Sequence, residues 1–170
     1  MSAGNLAVRA MVPRDWSQVE AIYAAGIATG HATFETAPPT WEAFDASRLP
    51  GHRLVAVAGD TVVGWAACVP TSSRPVYAGV VEHSIYVHPD AQRRGIGHLL
   101  LTELIASTEA AGIWTIQSSL FAENRASMRL HLAHGFRVVG VRERIAKSSI
   151  GPHAGRWRTT TLIERRSPSV

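Results

Sequence analysis

A single cysteine, Cys68, among 170 residues excludes an internal disulfide framework and a zinc site built on several thiolates. With no histidine visibly paired with it, Cys68 reads as a small apolar strand residue rather than a nucleophile. Long apolar runs are missing as well. The longest are strand-sized and interrupted by polar residues, so none approaches the roughly 20 residues of a membrane-spanning helix. The opening MSAGNLAVRAMVPRD lacks the basic stretch, apolar segment and small-residue cleavage site of a secretory leader, and the expectation is a cytoplasmic protein outside the membrane. Repeats and low-complexity tracts are absent too, which removes the solenoid folds. The length suits one domain over 1–170 with a sizeable core, its last residues from about 166 expected as a flexible tail.

The net charge of +4 is unevenly spread. From Arg137 onward eight Lys or Arg stand against two Glu, while nine basic and eleven acidic residues precede them. Arg142, Arg144, Lys147, Arg156, Arg158, Arg165 and Arg166 are spaced by apolar or small residues, which fits an anionic small molecule at least as well as a phosphate backbone. With no aromatic platform or recognition motif, no nucleic-acid partner is expected.

LAVRAM has the content of an edge strand that Pro13 ends, and Val19, Ile22, Tyr23 and Ile27 then recur at helical spacing. Thr40 is placed to cap a short helix with Glu42 in its first turn and Trp41, Phe44 and Leu49 along it, stopped at Gly51. LVAVA and TVVGWAACV flank Gly59-Asp60 as a hairpin. Residues 70–75 read as a loop and 78–88 as a long strand, because Val80, Val81, Ile85, Tyr86 and Val87 favour extended backbone and Pro89-Asp90 stops it. Beyond Gly95, Leu99, Leu100, Leu104 and Ile105 form a helical face that ends at Gly112. WTIQSSL is a strand, 125–134 a short helix ended by Gly135, FRVVGVRERI a strand, and GRWRTTTLIERR a loop that becomes the last strand. This order predicts a mixed α/β fold, a central twisted mixed sheet flanked by helices.

QRRGIG falls between a predicted strand and an amphipathic helix. Gly95 and Gly97 permit a tight turn in which successive N–H groups and the helix start face an anion. The lysine and spacing of a triphosphate loop are missing, as is the third glycine of a dinucleotide fingerprint. An ordinary crossover with solvated Arg93 and Arg94 fits the same residues.

The order strand, QRRGIG, helix, strand, ENRAS, helix and HGF resembles the Gcn5-related N-acetyltransferase superfamily over almost the whole chain, with Gln92, Gly95 and Gly97 on the three defining positions of its acetyl-CoA signature. HATFETAPPT, VEHSIYVHPDAQRRGIG, AENRASMRLHLAHGF and the later GRW resemble more narrowly its phosphinothricin and methionine-sulfone acetyltransferases. The resemblance implies acetyl-CoA as cofactor. It places the pyrophosphate on the amides of Arg93, Arg94, Gly95, Ile96, Gly97 and His98, and the pantetheine arm in a groove beside Ile85, Tyr86 and Val87, where the strand ending near His88 diverges from WTIQSSL. It implies a CoA contact from Asn124, with Ser127 and Arg129 on the cofactor-side helix; Asn124 equally fits a helix cap. It implies that Glu82 of VEHS is the catalytic base, and that amino-acid analogues are recognised around Phe34, Glu35, Arg74, Tyr77 and the basic C-terminal region, in part across a homodimer interface.

Aminolysis of a thioester needs a neutral amine, a path for its proton and stabilisation of the oxyanion, with no covalent enzyme intermediate. From the residues alone Glu82 is the candidate base, since an acidic residue in a β-branched and aromatic strand asks for a partner; a salt-bridged edge-strand Glu is the alternative. His83 points to the opposite face of a regular strand and reads as a supporting or core-polar residue. Many members of the superfamily carry, four residues before the final Gly-Phe, a tyrosine that protonates the departing thiolate. His131 stands there, chemically capable because imidazole titrates near neutrality, and equally suited to a helix surface or a cofactor contact. His131 and His134 without a carboxylate pattern predict no metal. Arg74 offers a bidentate clamp for a carboxylate or phosphinate, or is simply exposed, and Phe34 is otherwise a core anchor. KSSIGPHAGRW departs from the subgroup pattern as a longer, more flexible connection, so Lys147 and His153 carry no assigned role. The favoured function is acetyl transfer to the primary amine of a small amino-acid-like compound, with phosphinothricin, methionine sulfoximine and methionine sulfone first. The alternatives are another small amine or a peptide N-terminus, and a CoA-binding regulatory module without catalysis.

Overall fold

Over residues 6–170, which the computed structural model describes, a seven-stranded sheet lies between two pairs of helices. In chain order the elements are β1 (Leu6–Ala10), α1 (Trp16–Ala28), α2 (Trp41–Ser47), β2 (Arg53–Ala58), β3 (Thr61–Pro70), β4 (Val80–Val87), α3 (Ile96–Ala110), β5 (Thr115–Phe121), α4 (Arg125–Ala133), β6 (Arg137–Lys147) and β7 (Trp157–Arg166). The strands run β1-β2-β3-β4-β5-β7-β6 across the sheet. Neighbours are antiparallel except β4 and β5, which makes the sheet mixed, as expected. No helix among the described residues is long and apolar enough to cross a membrane.

Burial on both faces explains why β3 is apolar almost throughout. Val62, Trp65 and Ala67 pack with Val19, Ile22 and Tyr23 of α1 and Phe44 of α2. Val63, Ala66 and Cys68 pack with Leu100, Leu101 and Leu104 of α3. The pairing with β2 passes from Gly64 to Val62 and skips Val63; this bulge sends neighbouring valines to opposite layers.

Two boundaries and one connection differ from those expected. α2 is capped by Thr40, whose Oγ1 accepts from Ala43 N at 3.3 Å, but it ends at Ser47. Leu49 lies outside it, because a residue before proline is pushed out of helical backbone, and Pro50 follows. β7 runs through Arg166, and Ser167 N then donates to Trp114 O at 2.9 Å, so the strand and its anchoring reach into the expected tail. The KSSIGPHAGRW connection is an ordered turn: Ser148 N donates to Arg156 O at 3.1 Å and Gly155 N to Ser148 O at 2.7 Å. Arg158 fastens it, donating through one Nη to Ser148 Oγ at 3.0 Å and to Gly30 O at 2.8 Å.

The feature that positions the site is a short ladder. β4 and β5 pair over Val80↔Thr115, Val81↔Ile116 and Glu82↔Gln117, then part, while β4 stays with β3 as far as Val87↔Gly64 and β5 with β7 as far as Phe121↔Thr160.

At the entry to α1, Arg9 forks onto buried Asp15 with contacts of 2.7 and 2.8 Å, and Asp15 Oδ2 accepts from Val12 N at 2.9 Å. The hydrogen bonds from Arg9 hold the Asp15 carboxyl below its usual range. Its stabilisation is therefore complete above the ordinary Asp value of about 3.9 and is lost as pH falls through the lower folded value. Asp15→Asn is expected to destabilise the fold by about 1.5–3 kcal/mol at neutral pH, a deficit that narrows on acidification. Chemical denaturation of both proteins at several pH values checks it; equal midpoints at neutral pH count against the role.

Candidate active site

Where β4 and β5 part, the sheet opens into a cavity of about 340 Å³. A groove of about 620 Å³ runs from the loop before α3 along α4. Ile85, Asn124 and Ser127 line both, so the two hollows meet at the start of α4.

The groove is built by the turn ahead of α3. Arg93 and Gly95 have φ of 61° and 78°, and Gly95 caps the helix in left-handed backbone with no side-chain hydrogen bond. The first amides of α3 are left without intrahelical partners at the positive end of the helix dipole, an arrangement suited to phosphate oxygens. A Cβ on Gly97 would stand 3.1 Å from Leu130, so this glycine lets α4 approach. Ile85, Val87, Gln92, Arg93, Gly95, Ile96, Gly97, His98, Asn124, Ser127 and Arg129 all border the groove; Ala126, Leu130 and Ala133 join them unforeseen. Tyr86 and Arg94 do not. Alternation along β4 turns the Tyr86 ring to the other face, where it stacks on Trp65 at 4.7 Å and meets Tyr23 at 4.9 Å. Arg94 is exposed away from the groove. Asn124 takes the cap role, its Oδ1 accepting from Ser127 N at 3.1 Å, and its Nδ2 donates to His31 O at 3.2 Å.

In the cavity, Glu82 is half-buried and accepts from Gln117 Nε2 at 3.3 Å. No Lys or Arg among the described residues forms an ion pair with it, contrary to the salt-bridged alternative. Phe34 and Glu35 line the same space. Phe34 meets Phe121 edge-on at 4.8 Å, and the Arg158 guanidinium lies 3.9 Å from the Phe121 ring centroid.

Arg74 and Tyr77 lie outside the cavity. Both are exposed beyond the end of β3, the Arg74 guanidinium 5.4 Å from the Tyr77 ring centroid. The arginine within the cavity is Arg48, at the end of α2 against the Phe44 ring. Its Nε is buried and has no hydrogen-bond partner, a deficiency of about 1–3 kcal/mol that an anionic ligand would remove. Sequence reasoning missed Arg48, although its spacing from Phe44 is the one that places two helical side chains on one face. The C-terminal cations also gather differently from the expected anion site. Arg137 pairs with Glu164 at 2.6 Å, Arg165 with Glu109 at 2.7 Å and Arg158 with Glu123 at 3.4 Å. Arg144 and Lys147 lie over Trp157 at 5.4 and 5.0 Å. Side chains alternate across the β6–β7 hairpin, so its charges spread over both faces, and these five find protein partners.

His131 is fully buried rather than on a helix surface, and His83 is 3% exposed. Their Nε2 atoms are 2.8 Å apart, and Phe136 packs against both rings. Burial pushes the proton affinity of each downward. Cys68, opposite His83 on β3, is buried, with its thiol pushed up to about 12, and is inert as a nucleophile.

The sheet thus opens between parallel strands, with a helix start whose amides lack intrahelical partners on one side and a carboxylate-bearing cavity on the other. The chain belongs to the acetyltransferase (GNAT) family, whose model matches residues 16–136. It is 36% identical to the phosphinothricin N-acetyltransferase of Alcaligenes faecalis over 93% of this chain and 81% of that one. It is 32% identical to the L-methionine sulfoximine/L-methionine sulfone acetyltransferase of Salmonella typhimurium over 71% of this chain and 68% of that one. A solved phosphinothricin acetyltransferase of Sinorhizobium meliloti, in complex with acetyl-CoA, superposes with a TM-score of 0.83 at 28% identity, over 95% of this chain and 88% of that one.

Backbone conformation gives a test of the turn. An added Cβ would meet nothing within 4 Å at Gly95 or at Gly51, but only Gly95 has left-handed φ. Gly95→Ala is expected to destabilise by about 1–2 kcal/mol, whereas Gly51→Ala is expected to be neutral or to stabilise by up to about 1 kcal/mol. Thermal unfolding of the two variants reads the difference, and equal effects would refute the strain argument.

Proposed function

We propose that this acetyltransferase moves an acetyl group from acetyl-CoA to the amine of a small amino-acid-like substrate that carries an anionic group, with phosphinothricin, methionine sulfoximine and methionine sulfone as first candidates. The observation that carries this reading is one cavity holding a carboxylate without a cationic partner, Glu82, and an arginine with an unsatisfied buried N–H, Arg48. An amine and an acid group on one small molecule complement that pair. The volume of about 340 Å³ suits a small ligand. The relatives that act on phosphinothricin and on methionine sulfoximine or sulfone support the same class. Acetylation would remove the amine charge of such an antibiotic analogue, a chemical route to resistance.

Acetyl-CoA, when bound, supplies an acetyl group activated as a thioester. The amides at the start of α3 would hold its pyrophosphate, and the groove beside Ile85, Val87 and Asn124 would hold its arm. Glu82 accepts the amine proton, directly or through water, while Gln117 orients the carboxylate by donating to Oε2. Arg48 binds the acid group, and Phe34 with Phe121 forms an apolar wall for the rest of the substrate. We also infer a cytoplasmic enzyme that pairs as a homodimer. Val138, Val139, Val141 and Ile145 are exposed along β6, the outer strand of the sheet, and an exposed apolar edge of this kind favours a second chain.

Two variants separate the roles. Glu82→Gln is expected to lower kcat about 10²–10⁴-fold with little change in acetyl-CoA affinity, measured as amine-dependent thiol release with calorimetric titration alongside. Arg48→Ala is expected to raise KM for the amino-acid substrate about 10–100-fold and to leave turnover of the corresponding amine without its carboxylate unchanged. Equal losses on both substrates would contradict the clamp, and N-acetyl product forming at full rate without Glu82 would contradict the base.

A further inference from the structure

The buried histidine pair poses a question of proton count. His83 Nδ1 lies 3.1 Å from Gln117 O, and His131 Nδ1 lies 2.7 Å from Ser127 O. A carbonyl only accepts, so both Nδ1 atoms carry hydrogen, an assignment that follows from the partners. The two Nε2 atoms then face each other at 2.8 Å, and two bare lone pairs cannot rest there. A hydrogen between them completes the set: three protons on four nitrogens, and one positive charge. A pair with only two protons leaves a nitrogen lone pair against a carbonyl or the Nε2 contact unbridged. Burial works in the opposite direction and loosens the extra proton.

Both rings lie on the cavity wall, but every nitrogen of the pair is engaged by protein. The outlet is the Ser127 hydroxyl, 3.3 Å from His131 Nδ1, on a residue that lines both hollows. We propose that His83 and His131 hold an extra proton in common and that the Ser127 hydroxyl delivers it to the sulfur that leaves acetyl-CoA. This rests on the acetyl-transfer reading above. The amine nitrogen forms a bond to the acetyl carbon and gives a proton to Glu82. The carbon–sulfur bond breaks with its electron pair on sulfur, which takes the Ser127 proton. Ser127 takes the His131 Nδ1 proton in turn, and the bridging hydrogen settles on His131 Nε2. Water in the cavity carries the proton from Glu82 to the Ser127 hydroxyl, which passes its own to His131 Nδ1, so the net change is amine plus thioester to amide plus thiol. His83 is a positioning residue, acting through His131. The titratable groups around the pair are Cys68 from β3, Glu82 from β4 and His134 from α4. From β5 only the Gln117 carbonyl meets the rings, and Phe136 closes the far side. No carboxylate among the described residues pairs with either ring.

Nitrogen-15 NMR of histidine-labelled protein without ligand reads the proton count directly. The expected spectrum at neutral pH holds three imidazole N–H protons for the pair, one bridging and far downfield, and the bridging signal is lost in His83→Phe. Ser127→Ala leaves the pair and the fold intact. It is expected to keep that signal while kcat falls about 10²-fold, with recovery in Ser127→Thr and a smaller deficit on acetyl thioesters of more acidic thiols. Two neutral rings throughout pH 6 to 8, or wild-type kcat in Ser127→Ala, would overturn the proposal. Absence of N-acetyl product with any primary amine would instead reject the acetyl-transfer reading, and the spectrum would still report the pair.

Discussion

The parallel ladder between β4 and β5 lasts three residue pairs because each strand is committed to its other neighbour. β4 follows β3 for its whole length, and β5 follows β7. The twist that accumulates across a sheet carries those two halves apart once the shared segment ends. Backbone groups released in this way need partners, and side chains supply some of them across the gap. His83 Nδ1 donates to Gln117 O, and Ser118 Oγ reaches His83 O at 3.5 Å. The first polar residues beyond the last pair thus stand at the mouth of an opening that they also help to close.

The walls of that opening are held by contacts far from any ligand. Gly26 has no Cβ where one would stand 2.5 Å from the Tyr86 ring, which lets α1 close onto the aromatic stack of Tyr23, Trp65 and Tyr86. The connection after α1 is fastened from two sides, since Arg158 on β7 holds Gly30 O and Asn124 at the start of α4 holds His31 O. Phe34 and Glu35 follow within that connection and lie on the cavity wall. Removing one partner of a buried charged contact leaves the other unsatisfied, so Arg158 shapes the acceptor cavity without being aimed at a ligand.

Much of the fold was legible because its cues are local. Proline stops, the Gly59-Asp60 turn, the Thr40 cap and the helical spacing of Val19 to Ile27 each act over a few residues. The tight turn ahead of α3 was legible for the same reason, since Gly95 supplies a backbone conformation that other residues avoid. Arg48 and the histidine pair were not. An arginine at the end of a short helix looks solvated until the sheet beneath it is known to open, and His83 and His131 are brought together only when α4 lands on β4. The C-terminal cations show why: whether a charge meets solvent, a carboxylate or a ring is decided by the strand face it falls on, which spacing in the sequence does not give. Tyr86 shows the rule within a single strand, with Ile85 and Val87 on the groove and the tyrosine ring turned from it.

Alternation along β4 also accounts for how proton acceptance and proton donation can stand side by side. Consecutive residues of a strand point to opposite faces, so in an unbroken sheet Glu82 and His83 would be separated by the backbone of both strands and would serve different compartments. At the end of the β4–β5 ladder that separation lapses. Glu82 still meets Gln117 and the amine-sized cavity, while His83 turns toward α4 and, through His131, toward Ser127 at the junction with the groove. One residue of strand therefore divides the station proposed to remove a proton from the amine from the station proposed to return one to sulfur. The two stations share no direct hydrogen bond among the described contacts, so in the proposed cycle a proton passes from one to the other only through water. Closing the ladder by one more residue pair would narrow the gap and bring backbone between them, so on the proposed reading the length of the β4–β5 pairing sets both the room for the acceptor and the separation of acid from base.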